Sequence, residues 1–176
     1  MIKRGFFFSR TEEIMQVNVL NQRIGKLARE KMSKETHFRT CNMFLFDTNG
    51  KLFVQKRPEH IVPYPGYWDA APGGVVRINE TDLQAIMREI SEEMGIVPVN
   101  VLKLSTISIE NQGWFWWTSF FKGHCNSEIT ISKDVEEYRL MDLEEIAKRV
   151  QAGENFTPGC LRGLSLIENT NNKNRS

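Results

Sequence analysis

The sequence predicts an α/β fold, an α/β/α sandwich in which a mixed, mostly antiparallel sheet lies between helices. Two strand–turn–strand patterns, at 40–57 and 101–122, point to the sheet. Helical stretches at 81–94, 143–151 and 158–168 supply the flanking layers. A length of 176 residues fits one domain, and 40% hydrophobic with 26% charged residues is ordinary for a chain with a packed core. The net charge of +1 gives no sign of a nucleic-acid or membrane partner. No stretch approaches the ~20 apolar residues of a membrane helix. Cys41, Cys125 and Cys160 are far apart and form no CxxC pair, so a reduced, cytoplasmic setting is the simplest reading.

Residues 1–15 show no period and read as an N-terminal arm, 16–168 as the domain, and 169–176 as a polar, disordered tail. Met15–Leu20 alternates like a short strand, 21–23 reads as a turn, and 24–32 as a strand end followed by a basic helical turn. Thr40–Phe46 is apolar and β-prone, and Asp47-Thr48-Asn49-Gly50 is a hairpin signal because Asn-Gly tolerates positive φ. Lys51–Arg57 alternates, with Leu52 and Val54 on one face and Phe53 and Gln55 on the other. Pro58–Pro72 holds four of the six prolines and reads as a shaped loop. In the helix Thr81–Met94, the residues Leu83, Ile86, Met87, Ile90 and Met94 form an apolar stripe, Asp82 suits the helix dipole and Gly95 the C-cap.

Val101–Ile109 and Trp114–Lys122 read as strands joined by the 111–113 turn. Trp114 and Trp116 share one face, Phe115 and Trp117 the other. One face is suited to stack a nucleobase; the alternative is that both pack under helices. Glu128–Ser132 and Val135–Met141 are shorter strands, Leu143–Gln151 is amphipathic, and Pro158 suits the first turn of a last helix.

The chemistry sits at Gly73–Ile96. Glu89, Glu92 and Glu93, spaced i, i+3, i+4, share one helix face. Their repulsion costs roughly 0.2–0.5 kcal/mol per pair. Arg88 reaches Glu92 on the next turn, yet one cation cannot balance three anions. A hard divalent cation such as Mg²⁺ offsets the charge; a solvated acidic face is the plain alternative. Gly74, Glu80, Arg88, Glu89, Ile90, Glu92, Glu93, Gly95 and Ile96 fill every fixed position of a pattern that resembles the Nudix box. The resemblance implies a Nudix-type sandwich and Mg²⁺-dependent hydrolysis of a small-molecule diphosphate, with Mn²⁺ able to substitute. It implies metal ligation by Glu89, Glu92, Glu93 and the Gly73 carbonyl, with Glu89, Glu93, Glu92 and Arg88 forming the catalytic set. Gly74, Glu80 and Gly95 are expected to support the shape of the box, Glu80 by charge-assisted bonds to Arg88.

A looser resemblance covers more of the chain. His37-Phe38-Arg39-Thr40, Gln55-Lys56-Arg57 and Pro65-Gly66-Tyr67-Trp68-Asp69 are similar to the Nudix branch that includes isopentenyl-diphosphate isomerase. Gly73 and Val75 stand where that isomerase carries its Cys and His, so the site chemistry favours hydrolysis over isomerisation. A catalytically silent, ligand-sensing Nudix domain is the reading outside enzymology. Arg57, Trp68, Asp134 and Glu137 are candidates for substrate contact, and Asp134, Glu136 and Glu137 for an extra acid, although an ordinary charged turn explains the last three equally well. Lys56 and Arg77 suit phosphates or plain surface charge. His37, His60 and His124 are too scattered for a metal triad. A homodimer stays open.

Overall fold

A computed structural model describes residues 12–96, 99–125 and 137–173. The Glu128–Ser132 strand, Asp134 and Glu136 fall outside those residues. The order is β1 (Glu13–Val17), β2 (Arg23–Ala28), a single 3-10 turn (Arg29–Lys31), β3 (Phe38–Phe46), β4 (Leu52–Lys56), β5 (Trp68–Ala70), β6 (Gly73–Val75), α1 (Asp82–Met94), β7 (Val99–Asn111), β8 (Trp114–His124), β9 (Glu137–Met141), α2 (Leu143–Gln151) and α3 (Pro158–Lys173). β1 starts inside the stretch expected as an arm, and α3 runs past Glu168.

The nine strands form one mixed sheet around β3, which pairs antiparallel with β1, β4 and β6 and parallel with β8. β7 and β8 form a long antiparallel hairpin, and β9 joins the free side of β4. Alternation along the strands splits the core into two layers. Phe44 and Phe46 of β3, with Leu52 and Val54 of β4, pack with Ile146 of α2 and Cys160 and Ile167 of α3. Cys41, Met43 and Leu45 of β3, with Phe53 of β4, pack against Ala85, Ile86, Ile90 and Met94 of α1. The helices therefore cover opposite faces, as the α/β/α sandwich requires. No helix among the described residues is long and apolar enough to cross a membrane.

Two expectations need correcting. The proline-rich stretch is not wholly loop, because β5 pairs with β4 through Val54–Ala70, Gln55–Asp69 and Lys56–Trp68. The α1 stripe is also rotated: Leu83 is 50% exposed, while Asp82 and Glu89 turn inward beside Ile86 and Ile90. The inward turn of Asp82 has a polar cause. Its Oδ2 accepts from Ser119 Oγ at 2.6 Å, Lys103 Nζ at 2.9 Å and Arg39 Nη2 at 3.0 Å, which fastens the start of α1 to three strands. Burial opposes ionisation of Asp82, but these donors outweigh it and lower its pKa.

Candidate active site

Helix α1 is started by local chemistry. Thr81 Oγ1 accepts from the Gln84 amide while the Gln84 side chain accepts from the Thr81 amide, a capping box. Gly95 closes the helix in the left-handed conformation, φ 65°, with its amide on the Ser91 carbonyl. Between these ends Arg88 is fully engaged. Its Nε and Nη2 donate to Glu80 at 2.7 and 3.0 Å, and Nη2 also reaches the Val75 carbonyl at 3.1 Å. Its Nη1 donates to Glu89 Oε1 at 2.7 Å and Glu92 Oε2 at 3.1 Å. Arg88 thus ties the helix to the loop and strand before it, and acts as a positioning residue. The ion pairs hold Glu80 below its ordinary pKa against the effect of burial.

The three box glutamates do not stand alike. Glu89 is 7% exposed and fits against Gly74 so closely that a Cβ there would lie 2.1 Å from Glu89 Oε1. Only glycine leaves that room. Glu93 accepts from Gln55 Nε2 at 3.4 Å. Burial, then the charge of Glu89, push the Glu93 carboxyl up to about 8, while Gln55 and the Gly73 amide resist. Burial raises Glu89 as well, with Arg88 opposing. Glu92 instead faces outward, its side chain 51% exposed, toward Arg88 and toward Arg77 Nη1 at 3.7 Å. Among the described residues, no three His, Cys, Asp or Glu side chains converge on one point.

The donor chemistry fits a hard dication at Glu89 and Glu93. Two carboxylates adjoin here, and Arg88 pairs with Glu89 alone of the two. Glu93 is raised by burial and then by the charge of Glu89, and its hydrogen-bond partners, Gln55 and the Gly73 amide, bring no cation to offset them. A thiolate has no part in this. Cys41 Sγ is buried 3.6 Å from the Gly74 carbonyl, and burial pushes its pKa up, so it stays protonated.

Next to the carboxylates opens a cavity of about 750 Å³. Gln55, Gly73 and Gly74, the residues that touch Glu93 and Glu89, form one border, and Tyr64, Trp114 and Trp116 stand in its wall. The shared face of Trp114 and Trp116 therefore looks into the cavity, while Trp117 packs on the α1 side of the sheet.

The other candidates separate. Arg57 and His60 line the cavity. Trp68 does not; it is buried in the core with Arg139 stacked 5.1 Å over its ring. Glu137 is also away from the cavity, in an ion pair with Arg139. Arg77 is spent on Glu12 at 2.8 Å and on Glu80 and Glu92. Asp69, read only as part of a resemblance, emerges in the cavity wall. It is 8% exposed and tied to Thr157 of the α3 entry by a 2.7 Å bond. Its partner lies 88 positions on, so only the folded chain reveals the pair.

Residues 36–160 match the family model described as NUDIX domain. The chain is 32% identical over 168 residues to the Nudix hydrolase YfcD of Escherichia coli (strain K12), covering 94% of this chain and 92% of that one. It is 27% identical over 160 residues to a Nudix hydrolase of Pseudomonas aeruginosa, covering 90% and 94%. Among solved structures, DR0079 from Deinococcus radiodurans has a TM-score of 0.74 at 20% identity, covering 89% of this chain and 98% of that one. The NUDIX domain of Shewanella oneidensis NrtR, solved with ADP ribose, has a TM-score of 0.63 at 16% identity, covering 82% and 93%. At these identities the structural likeness bears on the fold alone.

Proposed function

This chain belongs to the NUDIX family and is a hydrolase acting on diphosphate bonds, and from that premise we propose that it cleaves a nucleoside diphosphate derivative, or a similar organic diphosphate, with Mg²⁺ as cofactor. One observation carries the reading: Glu89, buried and paired with Arg88, and Glu93, whose hydrogen-bond partners are uncharged, stand together at the border of a cavity large enough for such a ligand. Glu89 and Glu93 would hold the cation, joined by Glu92 and the Gly73 carbonyl. When bound, the cation neutralises diphosphate charge and acidifies a water.

The chain's own groups do the positioning. Arg88 fixes Oε1 of Glu89, and the Oε2 oxygen makes no hydrogen bond among the described residues, which suits it to orient or deprotonate the attacking water. Gln55 holds one oxygen of Glu93. Glu80 absorbs much of the Arg88 charge, so that Arg88 orients Glu89 without cancelling the attraction for a cation. Cys41 and Cys160 are buried and carry no disulfide, which supports a reducing compartment such as the cytoplasm. The test is a panel of nucleoside and non-nucleoside diphosphates assayed with Mg²⁺ and with Mn²⁺ for release of phosphorylated products. Turnover should need the cation and should vanish in a folded Glu93→Gln variant. Cation-independent turnover, or an unimpaired variant, would refute the assignment.

A further inference from the structure

Resting on that reading, we propose that Asp69 and Arg57 form a clasp for the vicinal diol of a sugar attached to the diphosphate, so that the enzyme selects ribosyl over 2′-deoxyribosyl substrates. Both residues line the cavity, and each has one polar function left open there. Asp69 Oδ1 accepts from Thr157 Oγ1 at 2.7 Å and from the Ala70 amide at 2.9 Å. Asp69 Oδ2 has no hydrogen bond among the described residues; the nearest cation, Arg57 Nη1, is 3.7 Å away. Arg57 is fixed elsewhere, with Nε on the Tyr64 carbonyl at 3.1 Å and Nη2 on the Pro63 carbonyl at 2.9 Å. An acceptor and a donor thus stand side by side on rigid supports, although Asp69 is itself more than nine-tenths buried. A carboxylate oxygen without a hydrogen bond, on a side chain this buried and lining a cavity, suits a ligand donor.

The charges decide what fits. A carboxylate repels phosphate, so Asp69 marks where the anionic part of the ligand ends. An uncharged group that donates at one atom and accepts at the next satisfies both residues, and a vicinal diol does so: one hydroxyl donates to Oδ2 and the other accepts from Nη1. The location agrees. Asp69 faces Gln55 across the β4–β5 ladder, and Gln55 touches Glu93, so the clasp is the next polar station beyond the acidic pair. On its other side Arg57 grips the Tyr64 backbone, and the Tyr64 and Trp116 rings, 6.2 Å apart, continue the cavity wall. Carboxylates, clasp and aromatic wall follow one another as diphosphate, sugar and planar base do in a nucleotide.

The test uses the full chain with the four common ribonucleoside diphosphates and their 2′-deoxy counterparts. Steady-state kcat/KM is measured on the wild type, Asp69→Asn and Arg57→Lys, and calorimetric binding on the wild type, on Asp69→Asn and on Glu93→Gln. Losing the hydroxyl that meets Oδ2 leaves a charged acceptor unpaired, so the ribo form should be preferred roughly tenfold to a hundredfold, mainly through KM. Asp69→Asn keeps the acceptor for Thr157 and Ala70 but should bring that ratio close to one. Arg57→Lys, which keeps the charge and loses the planar fork, should shrink it as well. A residue that only braced α3 would lower activity for both sugars alike. Hydrolysis of ribo and deoxy forms at equal efficiency, or a ratio unchanged in both variants, overturns the clasp while leaving diphosphate hydrolysis standing. Preferential ribo binding, lost in Asp69→Asn, without turnover of any compound upholds the clasp and overturns hydrolysis. No binding of any nucleotide overturns the clasp.

Discussion

Replacing Glu93 by Gln should stabilise the cation-free protein while abolishing its activity. The Glu93 carboxyl is pushed up to about 8 from an ordinary value of 4.5, first by burial and then by Glu89. A raised folded-state value means that folding takes up a proton, so the stabilising contribution is complete below about pH 4.5 and is lost as pH rises toward 8. At ~1.4 kcal/mol per pH unit, forcing that ionisation in the fold costs on the order of 3–5 kcal/mol above pH 8. Relaxation and water at the cavity border reduce this, so a gain of about 2–3 kcal/mol is expected at pH 8.5. Gln keeps an acceptor for Gln55 and carries no charge. Urea unfolding followed by circular dichroism, with EDTA, gives the comparison. The two proteins should coincide near pH 4.5 and diverge steadily upward, and a gain of that size corresponds to roughly 4–12 °C in Tm for a chain of this length. Saturating Mg²⁺ should close the gap by stabilising only the wild type, about 2.7 kcal/mol at a hundredfold excess over Kd. A pH-independent difference, or a variant less stable than the wild type at pH 8.5, would refute the reasoning.

Two further changes probe the support of the site. Gly74→Ala would set a Cβ 2.1 Å from Glu89 Oε1, so Glu89 must leave its place; a loss of about 1–3 kcal/mol in denaturant unfolding and a tenfold or greater loss in cation affinity by calorimetry are expected. Asp82→Asn should cost about 2–4 kcal/mol at pH 7, since the partners Ser119, Lys103 and Arg39 stay behind; because the folded pKa of Asp82 lies below 3.8, the difference should shrink as pH falls through that lowered value, as an unfolding series from pH 7 to 2 would reveal.

Sequence periodicity revealed what depends on neighbours in the chain. The Gly95 stop, the β3–β4 hairpin and the common face of Trp114 and Trp116 each follow from residues a few positions apart. The Gly74–Ile96 pattern was readable for the same reason, since one helix and its entry loop carry it. What escaped depends on partners far along the chain. Asp82 looks like a helix-dipole residue until Arg39, Lys103 and Ser119 arrive from three strands. Its bonds turn α1 so that Leu83 faces outward, which apolar spacing alone does not predict. β5 was hidden by its prolines, because those rings flank the residues that pair and leave Trp68, Asp69 and Ala70 free to join the ladder. Spacing indicated that Glu89, Glu92 and Glu93 share a face; it could not show that Arg88 and Arg77 draw Glu92 outward.

Gly74 borders the cavity and receives the Glu89 carboxylate where a side chain would otherwise stand. Acid and ligand space therefore meet at a residue that puts no side chain between them. An electric field fades slowly in a medium less polar than water. Each change of charge on the helix is thus felt inside the cavity, and a molecule lodged there acts in turn on the proton affinity of the helix.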